Sequence, residues 1–227
     1  MLKQERAVRT RRSLVRTAAE EFERHGFIQA RLADISAGAG VSAGALHFHF
    51  EHKAAVAAAV EETAAVALRR TARAAQLPGG TALQRLIRTT HALGRLLRED
   101  VVPRAGLQLS GDDAHDSALN LRGEWQGCVR RLVHRADAEG QLAAHVSQQD
   151  VVTVVMAVAT GFERLGRRNT DWLSAHRISG FWDLVLPCVV TPGALRSLTP
   201  DHAEFKSPFP GPAGPVVRPL PEHLFSR

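Results

Sequence analysis

The sequence predicts an all-α protein, and three observations support this fold class. Alanine, leucine and arginine, which favour helices, are abundant, whereas the aromatic residues amount to nine Phe, three Trp and no Tyr. Apolar residues recur at three- and four-residue spacing over most of the chain. Glycine, proline and capping residues separate these segments. The 227 residues suffice for one sizeable domain or two small ones.

The first predicted helix covers about residues 5–25 and stops at Gly26, a residue suited to a helix end. Its apolar side chains recur at helical spacing and define one buried face. They are Val8, Leu14, Val15, Ala18, Ala19 and Phe22. We therefore expect a long N-terminal helix that packs along one side.

Two short helices around a glycine turn are predicted within residues 26–53. Ile35 and Ala39 lie on one face of the first, and Gly40 tolerates the left-handed backbone needed at its end. Ser42 is placed to cap the second helix. The residues expected on its buried side are Ala45, Leu46 and Phe50. A short helix that starts at an exposed cap is the element that enters the major groove in helix-turn-helix proteins, so this segment predicts a DNA-binding regulator.

The charge of the chain agrees with a polyanionic partner. The net charge is +6 and the pI is near 10.5. Basic residues concentrate ahead of the two short helices, where Glu5 is the single acidic residue before Glu20. They are Lys3, Arg6, Arg9, Arg11, Arg12 and Arg16. This cluster is expected to form a phosphate-binding arm, and the alternative is a solvated charged helix face.

The rest of the chain predicts a larger helical domain. An alanine-rich helix covers residues 52–76, after which Pro78, Gly79 and Gly80 break the chain. Further helices are predicted at residues 81–97, 103–109, 118–139, 150–164 and 179–190, with a solvated loop at residues 110–117. The last two helices are so apolar that they need a second surface to bury against, which a homodimer supplies.

These elements divide the chain into three parts. We expect a helix-turn-helix domain at residues 1–52 and a larger helical domain at residues 53–198, with helix 53–76 connecting the two. Residues 199–227 are expected to form a mostly extended tail, because prolines preclude a helix there. These prolines are Pro208, Pro210, Pro212, Pro215, Pro219 and Pro221.

Cysteine usage and hydropathy predict a soluble cytoplasmic protein. Cys128 and Cys188 lie in apolar helical surroundings and belong to no CxxC pair, so we expect buried free thiols, with no metal or cofactor. The N-terminus lacks the apolar core of a signal peptide. No apolar run reaches the length of a membrane span.

The motif A-G-V-S-x-G-A-L-x-F-H-F-x-x-K at residues 39–53 is similar to the signature of the tetracycline-repressor (TetR) family of bacterial regulators. The chain further resembles one branch of that family, the γ-butyrolactone receptors and pseudo-receptors of actinomycetes. The segments that carry this second resemblance are K-Q-E-R-A at residues 3–7, P-R-A-G-L-x-L at residues 103–109, Trp125, T-G at residues 160–161, and W-x-x-x-L-P followed by P-G within residues 182–193.

The resemblance implies a homodimeric repressor that binds a pseudo-palindromic DNA operator and is released by a small-molecule inducer. The inducer would be a γ-butyrolactone, a furan or an antibiotic-like molecule, and the controlled genes would serve antibiotic or secondary-metabolite production. The larger domain would bind this ligand and dimerise. The residues expected to contact DNA are Arg9, Arg12, Arg31, Ser42, Ala43, Gly44, Ala45, His47, Phe48 and Lys53.

Three positions depart from the family pattern at this surface. Ala43 stands where a lysine is usual, His47 where a tyrosine is usual, and Arg31 where a threonine usually caps the second helix. Two ordinary phosphate contacts are therefore changed. Arg31 and the N-terminal arginines are expected to compensate, because phosphate contacts do not depend on sequence and a nearby guanidinium can replace an ammonium group.

A mostly apolar ligand pocket with one polar anchor is also implied by the resemblance. Trp125 and Thr160 match family residues that flank the ligand and hydrogen-bond to it. The expected lining is Leu86, Leu107, Trp125, Val129, Val155, Thr160 and Trp182. The alternative is that both tryptophans are ordinary core aromatics. Ala64 replaces a glutamine that helps to bind ligand in relatives, which together with the basic pI favours a pseudo-receptor.

Other functions have less support in the sequence. No catalytic motif is present, and Glu124 is the titratable group nearest to the expected pocket, so we do not expect an enzyme. A metal site is not expected either. His47, His49 and His52 do not share a helix face, and Asp112, Asp113, His115 and Asp116 are ordinary loop composition. The main alternative is a repressor without ligand response, or an architectural DNA-binding protein with a tightly packed core and no cavity.

Overall fold

The structure is a computed structural model that describes residues 2–76 and 79–203, and within these ranges it consists of helices joined by turns. The predicted all-α class is confirmed. The helices are α1 (Leu2–Gln29), α2 (Leu32–Gly38), α3 (Ala43–His49), α4 (Lys53–Ala75), α5 (Ala82–Glu99), α6 (Val101–Leu109), α7 (Leu121–Ala138), α8 (Gln148–Gly166), a 3-10 helix (Thr170–Leu173), α9 (Ala175–Val189) and α10 (Pro192–Ala203).

Helices α1 to α3 form a small unit around one end of an apolar core. Gly26 breaks α1 as predicted, because its φ of 74° lies outside the helical region, and a short last turn then reaches Gln29. The predicted apolar faces of the three helices meet in this core, except that Val8 at the start of α1 is 48 % exposed and its predicted burial is wrong. The largest buried members of the core are Leu14, Phe22, Ile35 and Leu46.

The same core continues from this unit into α4 and α6. Val60 and Ala64 of α4 and Ala105 of α6 are completely buried within it. Gly106 allows the two helices to approach closely, since a Cβ atom at this position would lie 2.3 Å from the Cβ of Ala64. The N-terminal unit is therefore packed onto the larger part of the molecule through α4 and α6.

A second core joins α5, α7, α8 and α9. Leu86, Val129, Val152 and Trp182 are buried at its centre. At the start of α5, Thr81 forms a capping box with Gln84. Across the described residues, no helix combines the length and apolarity required to cross a membrane.

Side-chain caps place several helix starts earlier or later than predicted. Asp100 caps α6, which begins at Val101 rather than at residue 103, and Asn120 caps α7 at Leu121 rather than at residue 118. Ser174 caps α9 ahead of the predicted start at residue 179. Helix α10 runs to Ala203 and so enters the segment predicted as an extended tail. Residues 77–78 and 204–227, with most of that tail, lie outside the described residues.

The prediction that both cysteines are buried is half wrong. Cys128 is buried on α7, where burial raises the pKa of its thiol. Cys188 is exposed, because α9 turns this position outward on the same face as Leu184, one helical turn earlier. Periodicity alone does not distinguish the inward from the outward side of so apolar a helix.

The loop at residues 110–117 is present as predicted, but the expectation that it is fully solvated is wrong. His115 is buried, and its Nε2 lies 2.9 Å from Oε2 of Glu61, which is only 2 % exposed on α4. The Ser117 hydroxyl donates to Oε1 of the same carboxylate at 2.5 Å. A buried carboxylate needs such partners, so the loop is anchored to α4. The His115 ring also packs against Phe27 at the end of α1, 4.8 Å between centroids.

Candidate nucleic-acid interface and internal cavity

The turn between α2 and α3 has the geometry predicted from its residues. Gly40 adopts the left-handed conformation with a φ of 68°. Ser42 then caps α3, because its hydroxyl accepts a hydrogen bond from the Ala45 N–H at 3.2 Å. Arg31 precedes α2, and its side chain makes no capping hydrogen bond to that helix. The side chain is exposed.

The outward face of α3 is formed by small or unpaired side chains. Leu46 is buried beneath it, and Phe50 is buried just after the helix ends. Ala45, predicted as buried, is only half-buried. The exposed residues are Ala43, Gly44, His47 and Phe48. Phe48 is 81 % exposed, an unusual position for a large apolar ring.

Five exposed arginines on α1, called the arginine row below, belong to the same N-terminal unit as α3. They are Arg6, Arg9, Arg11, Arg12 and Arg16. The Arg11 guanidinium lies 5.3 Å from the centroid of the Phe50 ring, which places Arg11 next to the C-terminal end of α3. The basic arm inferred from the sequence is therefore exposed on the unit that carries the short helix.

Lys53 has a structural role that the sequence did not reveal. Its ammonium group donates to the carbonyl oxygens of Ile28, at 2.9 Å, and Ala30, at 3.3 Å. It also lies 4.7 Å from the centroid of the Phe27 ring. These contacts tie the start of α4 to the end of α1. A contact between Lys53 and phosphate remains a prediction. The ammonium group has a third N–H, beyond the two that donate to these carbonyl oxygens, to make it.

An internal cavity of about 510 Å³ lies among α4, α5, α7, α8 and α9. Four of the residues predicted to line a pocket do line it: Leu107, Trp125, Val155 and Thr160. The other three do not, and the prediction that they line it is wrong. Leu86, Val129 and Trp182 are buried in the second core instead. The Trp182 indole N–H donates to the hydroxyl of Thr90 at 2.8 Å, so Trp182 supports a lining residue from behind.

The cavity is more polar than the single-anchor pocket predicted from the sequence. Arg69 of α4 forms a bidentate ion pair with Glu124 of α7, with its Nε 2.8 Å from Oε2. The hydrogen bonds from Arg69 lower the pKa of Glu124. Deeper in the lining, buried Glu163 accepts from Arg122 at 2.8 Å and from Arg167 at 2.6 Å. Thr160, the single polar anchor that the sequence indicated, is thus one of several polar or charged groups in the lining.

The comparisons with known proteins agree with this arrangement. The family described as "Bacterial regulatory proteins, tetR family" matches residues 14–60, which contain the second half of α1, all of α2 and α3, and the start of α4. The A-factor receptor protein of Streptomyces griseus is 27% identical over 204 residues, covering 88% of this chain and 71% of that protein. The N-terminal unit of the chain is thus similar to the DNA-binding part of the TetR family. The resemblance drawn from the motif at residues 39–53 is confirmed.

Solved structures extend the similarity of this chain beyond its N-terminal unit. A γ-butyrolactone receptor (ArpA-like protein) matches with a TM-score of 0.77 at 26% identity, over 88% of this chain and 98% of that one. CprB from Streptomyces coelicolor, in complex with its biological operator sequence, matches with a TM-score of 0.74 at 27% identity, over the same 88% of this chain and 98% of that one. The likeness therefore includes the helices that surround the cavity.

Sequence reasoning missed the charged pairs that line this cavity. Arg69 and Glu124 are separated by many residues, and so are Arg122 and Glu163, so no local spacing indicates either pair. One signal was available for Glu163. It interrupts an otherwise apolar helix, and a charged residue at such a position is buried only when it is paired.

Proposed function

We propose that this protein is a ligand-responsive transcriptional repressor that binds a pseudo-palindromic operator as a homodimer. A small signalling molecule, such as a γ-butyrolactone, a furan or an antibiotic-like compound, releases it from the DNA. The observation that carries the proposal is that α4 connects the exposed α3 face with the cavity. This helix begins shortly after α3 ends, and its later turns line the cavity. The controlled genes would serve antibiotic or secondary-metabolite production, and the protein would act in the cytoplasm, where DNA is present.

In this proposal, residues 1–52 read DNA and residues 53–198 bind ligand and dimerise. Helix α3 enters the major groove and the arginine row on α1 contacts phosphates. This assignment is supported by the exposure of both surfaces on the N-terminal unit and by the position of Arg11 next to the end of α3. The proposed contact residues are Arg9, Arg12, Arg31, Ser42, Ala43, Gly44, Ala45, His47, Phe48 and Lys53.

The dimer is proposed to form through α8 and α9. Each helix carries a stripe of exposed apolar or small residues at helical spacing, and such a stripe is costly to leave in water. On α8 the stripe contains Val154, Ala157 and Leu165, and on α9 it contains Gly180, Leu184 and Cys188. Two-fold pairing of this surface would present two α3 helices to successive turns of the DNA groove.

The cavity favours a ligand-responsive protein over an architectural DNA-binding protein. A space of about 510 Å³ lined by Trp125 and Thr160 is of a size suited to a small molecule, and its partly open mouth at Arg69 and Glu124 gives such a molecule access. Release would follow if the ligand prefers a conformation whose α3 spacing does not fit the operator. Ligand and DNA must then weaken the binding of each other by the same factor.

A gel-shift experiment tests the whole proposal. The protein is incubated with the DNA upstream of its own gene, with and without butyrolactones, furans and antibiotic extracts. A specific shift that one of these additions reverses is the expected result. The absence of any specific shift at low salt would contradict the DNA-binding part of the proposal.

The same assay tests the cavity through Trp125→Ala. We expect operator binding to persist while the inducer concentration needed for release rises about tenfold or more, since a large lining side chain is removed. Trp172→Ala is the matched control, because Trp172 packs against Arg177 outside the cavity lining. If Trp125→Ala responds to inducer like the native protein, or if it unfolds by circular dichroism, the assignment of Trp125 to ligand binding is wrong.

The arginine row gives a second prediction. Arg12→Ala should weaken binding to specific and nonspecific duplexes alike. It should also reduce the slope of log affinity against log salt concentration by about 1 for each phosphate group that the arginine no longer neutralises. Arg95→Ala, which removes an exposed arginine from α5, should leave the slope unchanged. An unaltered slope in Arg12→Ala would remove that residue from the DNA contacts.

A further inference from the structure

The outward face of α3 offers very little hydrogen-bonding chemistry. Of its four exposed residues, Ala43 and Gly44 bring no side-chain donor or acceptor, and His47 brings the single polar group. Sequence-specific readout in the major groove normally depends on donors and acceptors that match base edges. A helix with this surface must therefore obtain much of its discrimination from apolar contact.

Phe48 is the residue that can supply such contact. Its side chain is 81 % exposed, and its ring meets the edge of His49 with 5.2 Å between centroids. His49 is half-buried, so this contact orients the Phe48 ring without covering it. Apart from this contact with His49, the Phe48 ring faces water and is an apolar surface available to a partner molecule.

The charge of the residues near Phe48 indicates which kind of molecule its ring contacts. The arginine row on α1 and the exposed Arg31 lie on the same small unit as α3, so this unit attracts phosphates. Among groups exposed in the major groove of DNA, the 5-methyl group of thymine is the apolar one, and phenylalanine is among the side chains that contact it. Cytosine and the purines offer polar edges there instead.

We propose that Phe48 determines operator specificity by packing against a thymine 5-methyl group in each half-site. This proposal rests on the DNA-binding function proposed above and adds the chemistry by which one base is read. His47 acts beside it as the hydrogen-bonding reader of a neighbouring base.

The experiment removes single methyl groups from the DNA. An operator is first selected from random duplexes with the full-length protein, and each thymine in it is then replaced by deoxyuridine, which lacks only the 5-methyl group. At one or two thymines in each half-site, we expect the affinity of the native protein to fall about fourfold, the value of one buried methyl group. Other thymines should have little effect.

Variants of the outward face assign this sensitivity to a residue. Phe48→Ala should bind the thymine operator more weakly. It should also no longer distinguish thymine from deoxyuridine at the sensitive positions. A double-mutant cycle that combines the Phe48 substitution with the deoxyuridine replacement measures this coupling. Phe48→Leu should retain part of the discrimination. His47→Ala is the matched control on the same face, and it should keep the full deoxyuridine effect even where its overall affinity falls.

Each outcome is decisive for one of the two proposals. If no thymine is sensitive, or if Phe48→Ala retains the sensitivity, Phe48 does not read a methyl group, although the protein still binds an operator. If no operator is selected at all, the proposed DNA-binding function fails together with this inference. Thermal melting by circular dichroism confirms that Phe48→Ala is folded, which its exposed position leads us to expect.

Discussion

Replacing Leu184 with glutamate is expected to convert the proposed dimer into monomers and to lower operator affinity about 100-fold or more. Leu184 is 77 % exposed at the middle of the α9 stripe, flanked by Gly180 and Cys188 one turn away on either side. A carboxylate at this point would be buried without a partner in the dimer, which costs several kcal/mol. A monomer holds a single α3 helix and loses the gain of binding two linked half-sites, about 10²-fold or more.

Sedimentation velocity and gel shifts on the same protein samples measure the two effects together. Val66→Glu is the control, since Val66 is an exposed apolar residue on α4, away from the α8 and α9 stripes. It should remain dimeric and bind the operator normally. A Leu184→Glu protein that stays dimeric would show that the interface lies elsewhere, and a folded monomer with full operator affinity would show that the dimer is not required for binding.

The features that could be predicted from the sequence are those with local signals. The α2–α3 turn depends on Gly40 and Ser42, whose backbone and capping preferences act within a few residues. The outward apolar stripe of α9 was predicted because that helix has too few polar residues to face water. Which residues of α9 form this stripe was not predicted, as the exposure of Cys188 shows.

The cavity was predictable only in part because a helix face does not reveal where a void lies. Trp125 and Val129 lie one turn apart on α7, and both belong to its apolar face, yet one lines the cavity and the other fills the second core. The difference depends on how α7 packs against α5 and α8. Pairs such as Arg69 with Glu124 depend on the same tertiary arrangement and leave no trace in local spacing.

Glu61→Ala is expected to lower the free energy of unfolding by about 3–5 kcal/mol, the usual cost of breaking a buried, hydrogen-bonded pair. The substitution leaves buried His115 without the carboxylate that lies 2.9 Å from its Nε2, and it deprives the Ser117 hydroxyl of an acceptor. For a chain of this length, thermal melting should show a decrease in Tm of roughly 10 °C. Glu62→Ala, at the exposed neighbouring position, should change stability by less than about 0.5 kcal/mol.

The position of this pair gives the substitution a second expected effect beyond stability. His115 packs against Phe27, and that ring also lies against Lys53, which ties α4 to the end of α1. Loss of Glu61 should therefore loosen the junction between the N-terminal unit and the loop that leads into α7, a wall of the cavity. Hydrogen exchange should become faster in residues 110–120 and at the end of α1, whereas α9 should be unaffected. Because His115 acts through the same carboxylate, His115→Ala combined with Glu61→Ala should cost clearly less than the two single effects added together. Additive effects, or uniform acceleration of exchange over the whole chain, would contradict a local role for this pair.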